Sequence, residues 1–245
     1  MIEKLLLNLR GRGDLGLVHE QALCDLIVET RKVPAKETVV RHAVLLNRSI
    51  LLLEGMMGRF KDLSNGRRQI SALYVPGDFL DLPAFVLRYL DHDVMALSDC
   101  TIAYAPFDGL QALVDSSGPM TRVLWRQTCV DAAIHRAWVL SLGQQSGPQR
   151  AAHLFCELYT RLELVELTRG PHFDLPLNQV ELGECLGLTV VHTNRVLREL
   201  RELGLISFGK GTVTILDFDK LVLFAEFDPS YLYLDDRPAL TRRTG

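Results

Sequence analysis

The sequence predicts an α+β chain built as an N-terminal double-stranded jelly-roll or small barrel, one long helix, and a C-terminal helix pair with a hairpin behind it. Three observations carry this. Short apolar runs separated by turn residues occupy positions 31–107, an unbroken helical period runs from 116 to 142, and Gln179 to Arg198 has the spacing of two short crossed helices. At 245 residues two domains are favoured over one. The expected division is 1–115 for the barrel with its N-terminal helices, 116–143 for the long helix, 144–235 for the C-terminal domain and 236–245 for a flexible tail.

Residues 1–30 read as helix with a break between Gly11 and Gly16 and an apolar pattern at Leu23, Leu26 and Ile27. Strands follow at 49–53, 57–63 and 69–74, with Asn65-Gly66 as a two-residue hairpin turn and Pro76-Gly77-Asp78 as another turn. Ser116-Ser117-Gly118-Pro119 opens the long helix, because proline is tolerated in a first turn whose N–H groups have no helical acceptor. Val123, Gln127, Val130, Ile134 and Ala137 form a heptad-like stripe on it, while Leu124 and Trp138 lie on a second apolar face. A helix apolar on two sides packs on its own domain and on something else. The stripe is expected to meet its twin in a homodimer, the alternative being one wide core face. Residues 143–148 read as a hinge, with Ser146 and Gln149 as a capping box for a helix reaching about residue 168; a last helix spans 217–227.

The segment after 178 is the most informative. Asn178 and Glu181 form a second capping box, and Thr189 caps the helix that follows. Leu182, Leu186, Leu188, Thr193 and Val196 fall where two crossed helices share a core. Gly183 stands at their closest approach, and Gly187 at a turn where a positive φ is cheapest for glycine. Leu203-Gly204 ends the second helix, and the runs 205–208 and 212–215 flank Gly209-Lys210-Gly211 as a wing. This is a winged helix-turn-helix, whose second helix enters a DNA major groove; the competing reading is a helical pair packed inside a larger fold.

Composition limits the mechanism. Hydrophobic residues make up 48% and charged residues 23%, with a net charge of −3 and a pI near 6.2. Residues 178–212 hold Arg195, Arg198, Arg201 and Lys210 against Glu181, Glu184, Glu199 and Glu202. DNA affinity must then come from placed guanidinium and N–H groups, not from bulk charge. Five scattered cysteines without a CxxC pair suit reduced thiols, and no signal peptide or bilayer-length apolar run is visible, so a cytoplasmic location is expected. No Ser/His/Asp order, HExxH pair or phosphate-binding glycine loop is present, so no enzyme is expected.

The order of barrel, long helix, hinge and winged helix-turn-helix resembles the Crp/Fnr family of bacterial transcription regulators, over roughly residues 15–225. The resemblance is most specific at 182–189, Asn194-Arg195-Val196-Leu197, 203–206 and 209–211; Pro76-Gly77-Asp78-Phe79 resembles the turn leading into the family's cyclic-nucleotide cassette. It implies a homodimer on a pseudo-palindromic operator, with RNA polymerase as a further partner. It also implies that the second helix reads bases through Val191, Asn194 and Arg195, with Thr189 and His192 as phosphate or base contacts and Arg198 and Lys210 on the DNA backbone. Arg198 is equally placed as a solvated surface residue. Arg195 matches the family's guanine-reading arginine, whereas Val191 replaces its usual glutamate and suits a thymine methyl.

The cassette is degenerate around Gly77, Asp78, Leu90 and Asp91. The positions of the family's phosphate-binding arginine and its neighbouring serine hold Leu90 and Asp91, unless Arg88 slides into place. No cofactor is expected. A carboxylate there repels cAMP, too few N-terminal cysteines are present for an iron–sulfur cluster, and His19, His42 and His92, which could serve a haem as axial ligand, read as surface or hydrogen-bonded histidines. The effector is atypical or absent. The alternative function is a cyclic-nucleotide-binding module that controls a partner protein.

Overall fold

The computed structural model describes residues 1–13 and 15–234; the tail expected at 236–245 lies outside the described residues. Two short helices, α1 (Glu3–Arg10) and α2 (Leu17–Leu26), flank the expected break. Seven strands follow: β1 (Glu29–Val33), β2 (Thr38–Val40), β3 (Arg48–Glu54), β4 (Met57–Asp62), β5 (Arg68–Tyr74), β6 (Asp93–Ala96) and β7 (Cys100–Pro106), with the one-turn helix α3 (Ala84–Leu87) between β5 and β6. They form two antiparallel sheets, ordered β1-β7-β3 and β2-β6-β4-β5. The β4–β5 hairpin departs from the two-residue turn expected at Asn65-Gly66. Leu63 N–H donates to the Arg67 carbonyl at 2.8 Å and Gly66 N–H to the Leu63 carbonyl at 2.9 Å, which makes a three-residue loop of Ser64, Asn65 and Gly66.

Helix α4 (Phe107–Ser116) leads into the 27-residue α5 (Gly118–Gln144), capped by the Ser117 hydroxyl on Met120 N–H with Pro119 in its first turn. The hinge is short, because α6 (Gly147–Leu164) starts three residues after α5 ends and Ser146 and Gln149 cap it reciprocally as expected. The remainder comprises β8 (Thr168–Arg169), β9 (His172–Asp174), α7 (Gln179–Leu186), α8 (Val190–Glu202), β10 (Ile206–Gly209), β11 (Thr212–Ile215), α9 (Phe218–Ala225) and a 3₁₀ turn (Pro229–Leu232). The β8–β9 hairpin has no counterpart in the sequence reading. At two and three residues its strands are too short to show alternation, and they form because β9 pairs with the wing strand β11.

Helix α5 corrects the stripe expected to face a second copy. Val123 is buried in the barrel core beside Met120 and Leu124, while Val130 and Ile134 are buried with Trp138 in the core shared with α6. Gln127 and Ala137 are half-buried on the same side. The exposed residues include Arg122, Trp125, Cys129, Ala132, Arg136, Val139 and Gly143, which recur at alternating steps of three and four, flanked by the exposed His135, Leu140 and Gln144. Of these Trp125 is 67% and Val139 58% exposed. Both faces have a helical period; the wider one went inward because two domains pack on it.

The C-terminal part also packs back on the barrel. One apolar core joins Phe60, Ile70 and Leu73 of the barrel to Phe155 and Leu158 of α6 and to Leu182 and Val196 of the helix pair. The polar contacts across this junction are mostly buried. Arg161 donates to Asp78 at 2.7 Å, to the Leu73 carbonyl at 3.0 Å and to Glu157 at 3.0 Å. Trp138 Nε1 and the Tyr231 hydroxyl also donate to Glu157, at 3.0 and 2.9 Å. Burial opposes the Arg161 charge, but Asp78 and Glu157 outweigh it and hold the guanidinium above its ordinary pKa.

Candidate nucleic-acid interface and the barrel cavity

The helix pair is built as its sequence dictates. The Asn178 side chain accepts from Val180 and Glu181 N–H groups while Glu181 reaches back to Asn178 N–H, and the Thr189 hydroxyl accepts from His192 N–H. Gly187 ends α7 at φ +64°, and a Cβ on Gly183 would meet the Leu188 carbonyl oxygen at 2.7 Å. Thr193, fully buried, donates its hydroxyl to the Thr189 carbonyl at 3.0 Å. These contacts fix the rotation of α8 about its own axis, which decides which side chains face out.

Val191, Asn194, Arg195 and Arg198 share the outer face, with Val191 79% exposed. Asn194 and Arg195 have no hydrogen-bond or ion-pair partner among the described residues, whereas Arg198 lies 3.9 Å from Glu202. Lys210 stands exposed at the wing tip, in the Lys210-Gly211 turn between β10 and β11. Two of the expected contacts also have internal roles. The Thr189 hydroxyl is engaged as the cap, and His192 is half-buried, its ring close to Gly147 at the start of α6, because its position is one step off the outer face. Arg201, outside the expected contact set, continues the face one turn beyond Arg198 and has no partner among the described residues. Its helical spacing from Asn194 and Arg198 was the available signal.

Barrel residues also reach the helix pair. Gln69 Nε2 donates to the Glu184 carbonyl at 2.6 Å, and Lys36 pairs with Glu181. Neither contact is legible in sequence, because each joins residues more than a hundred positions apart.

The cassette region encloses a cavity of about 50 Å³ between the turn at Asp78 and the inner face of α5. Leu90 lines it, but Asp91 points outward to His92 and Lys61, and Arg88 is exposed beyond it with its guanidinium 5.6 Å from the Phe107 ring. Asp78, named above with the degenerate cassette, is held by Arg161, Asn8 and the Val75 N–H. Asp81 is fully buried, accepting from the Ser49 hydroxyl and Ile50 N–H, both at 2.7 Å; burial pushes its carboxyl up to about 7. The residues do not fit a cyclic nucleotide. The volume is far below that of a nucleotide, and no arginine-serine pair faces it at the position expected to hold the cyclic phosphate.

Comparisons with known proteins agree with this geometry. Residues 30–117 match the cyclic nucleotide-binding domain model, and residues 149–224 match the Crp-like helix-turn-helix domain model. The transcriptional activator protein FnrL of Cereibacter sphaeroides is 28% identical over 211 residues, covering 83% of each chain. The nitrogen fixation regulation protein FixK of Bradyrhizobium diazoefficiens is 26% identical, covering 74% of this chain and 75% of that one. The solved structure of FixK2 from Bradyrhizobium japonicum superimposes with a TM-score of 0.72 at 22% identity, covering 80% of this chain and 96% of that one. The domain models and the relatives define a transcription regulator with a helix-turn-helix DNA-binding domain, not an enzyme. The chain belongs to the Crp/Fnr family, with both of its domains in the family's order. Among the described residues no helix is long and apolar enough to cross a membrane.

Proposed function

We propose that the chain is a cytoplasmic homodimer that reads a pseudo-palindromic operator and acts with RNA polymerase. The observation that carries the reading is the outer face of α8, where Asn194 and Arg195 are presented without internal partners on a helix whose rotation is fixed by buried contacts. Arg195 donates to guanine O6 and N7, Asn194 to an adenine or a phosphate, and Val191 packs on a thymine methyl. Arg198, Arg201 and Lys210 hold the phosphate backbone. Dimerisation uses the exposed seam of α5, with Trp125, Ala132 and Val139 at its centre, and sets two recognition helices ~34 Å apart. The barrel takes an atypical effector or none.

Selection of bound fragments from random or genomic DNA tests this, repeated with Arg195→Ala. Enrichment of a two-fold-symmetric site whose guanine preference disappears in the variant is expected. No enrichment, or enrichment indifferent to the substitution, refutes the readout; a uniform loss across sequences moves Arg195 to the phosphate contacts.

A further inference from the structure

The 50 Å³ cavity carries an imbalance that the protein does not resolve internally. Three guanidinium groups line it, those of Arg12, Arg59 and Arg161, against the carboxylates of Asp78 and Asp131. Arg59 is paired with Asp131 at 3.1 Å and Arg161 with Asp78 at 2.7 Å. Arg12 has no such partner among the described residues. It is 5% exposed, and its donors reach only the carbonyls of Asn8 at 3.0 Å and Leu232 at 3.1 Å. Burial lowers its pKa to about 10, with Arg161 and Arg126 adding repulsion and Asp78 opposing it, so it remains a cation at neutral pH.

A second observation is independent of that charge. Gln127 Nε2, on the inner face of α5, is buried without any acceptor and lines the same cavity. A buried amide donor and a buried cation without a counter-charge each cost free energy until an acceptor arrives, and an ionised acceptor satisfies both. The cavity, about 50 Å³, is of the order of one small oxyanion.

We propose that this cavity binds a monovalent oxyanion of about four heavy atoms, of the nitrate, bicarbonate or carboxylate kind, on Arg12 and Gln127. The proposal rests on the reading of the barrel as the sensory domain, and it replaces the cyclic nucleotide with a ligand of different size and chemistry. Arg12 is also the side chain that ties the N-terminal segment to the Leu232 carbonyl of the C-terminal part. The anion therefore sits directly against the contact between the two domains.

Calorimetric titration of the full chain with sodium nitrate, sodium bicarbonate or sodium acetate, at ionic strength fixed with sodium chloride, tests it. Saturable one-to-one binding of at least one of the three is expected, weakened at least tenfold by Arg12→Gln and several-fold by Gln127→Leu. Gln127→Leu removes an unsatisfied buried donor and is expected to melt no lower than the parent without added anion, so it decides the matter even where Arg12→Gln does not fold. Absence of saturable binding by all three salts, or binding that both substitutions leave unchanged, overturns the proposal. Operator binding is measured in parallel: a chain that binds DNA but no oxyanion loses only this inference, while one that binds oxyanion but no DNA loses the regulator reading.

Discussion

The outer face of α8 and the junction around Arg161 are both rich in polar side chains, and they use them in opposite ways. On α8, the side chains of Asn194, Arg195 and Arg201 have no partner among the described residues, while the hydroxyls of Thr189 and Thr193 are bonded within the helix they hold. At the junction Arg161 pairs with both Glu157 and Asp78, and Tyr231 also donates to Glu157, so these charges answer one another. Free groups on a rigid frame mark a surface meant for an outside partner. Saturated, buried groups mark a seam that holds two domains in one arrangement. The cavity lies between these extremes, since most of its charges are paired and Arg12 is not.

The contrast breaks most sharply at Arg161. Arg161→Ala leaves Glu157 and Asp78 buried without their cation and is expected to cost about 3–5 kcal/mol in chemical denaturation. A loss below about 1 kcal/mol shows that the junction is not held by this ion pair. Arg195→Ala should leave that stability within about 0.5 kcal/mol.

Asp81 gives the next effect and works through pH. Its folded-state pKa is raised, so the folded protein binds the proton more tightly than the unfolded chain. Stability from this group is complete below the unfolded value of 3.8 and is lost as pH rises toward about 7. Asp81→Asn should therefore gain on the parent between pH 4 and 7, by up to about 4 kcal/mol, and hold the gain at pH 8. Urea midpoints compared across that range check this; a difference that does not change with pH refutes it.

At the DNA face, Arg195→Ala is expected to cost about 1–3 kcal/mol at one base pair per half-site, whereas Arg198→Ala and Lys210→Ala weaken all sequences alike and flatten the salt dependence. Competition binding against single-base operator variants separates the two patterns. Trp125→Glu with Val139→Glu is expected to give folded monomers by light scattering, while Val130→Glu with Ile134→Glu disrupts the protomer itself, because those side chains are internal. A dimer that survives the first pair places the interface elsewhere. The smallest effect is Asn178→Ala, about 1 kcal/mol, from loss of the α7 cap.

Much of the site was legible because it is local. Caps, the Gly183 contact, the Gly187 turn and the wing each span a few residues, and helical spacing alone brings Val191, Asn194, Arg195 and Arg198 to one face. The same spacing failed at α5, where two faces carry a helical period and nothing local says which meets the barrel. The partial burial of the His192 ring against the start of α6 was not legible either, since it depends on how α6 docks.

Sequence by itself determined the family resemblance, the order of elements and the build of the helix pair, because caps, turns and periodicity are short-range and additive. The tertiary structure decided three other matters: which face of α5 is free, that Asp78 serves Arg161 instead of solvent, and that Arg12 enters the barrel cavity. Each depends on residues dozens to more than two hundred positions apart meeting in a low-dielectric interior. There a charge is tolerated only when something answers it, and no local pattern records which partner that is.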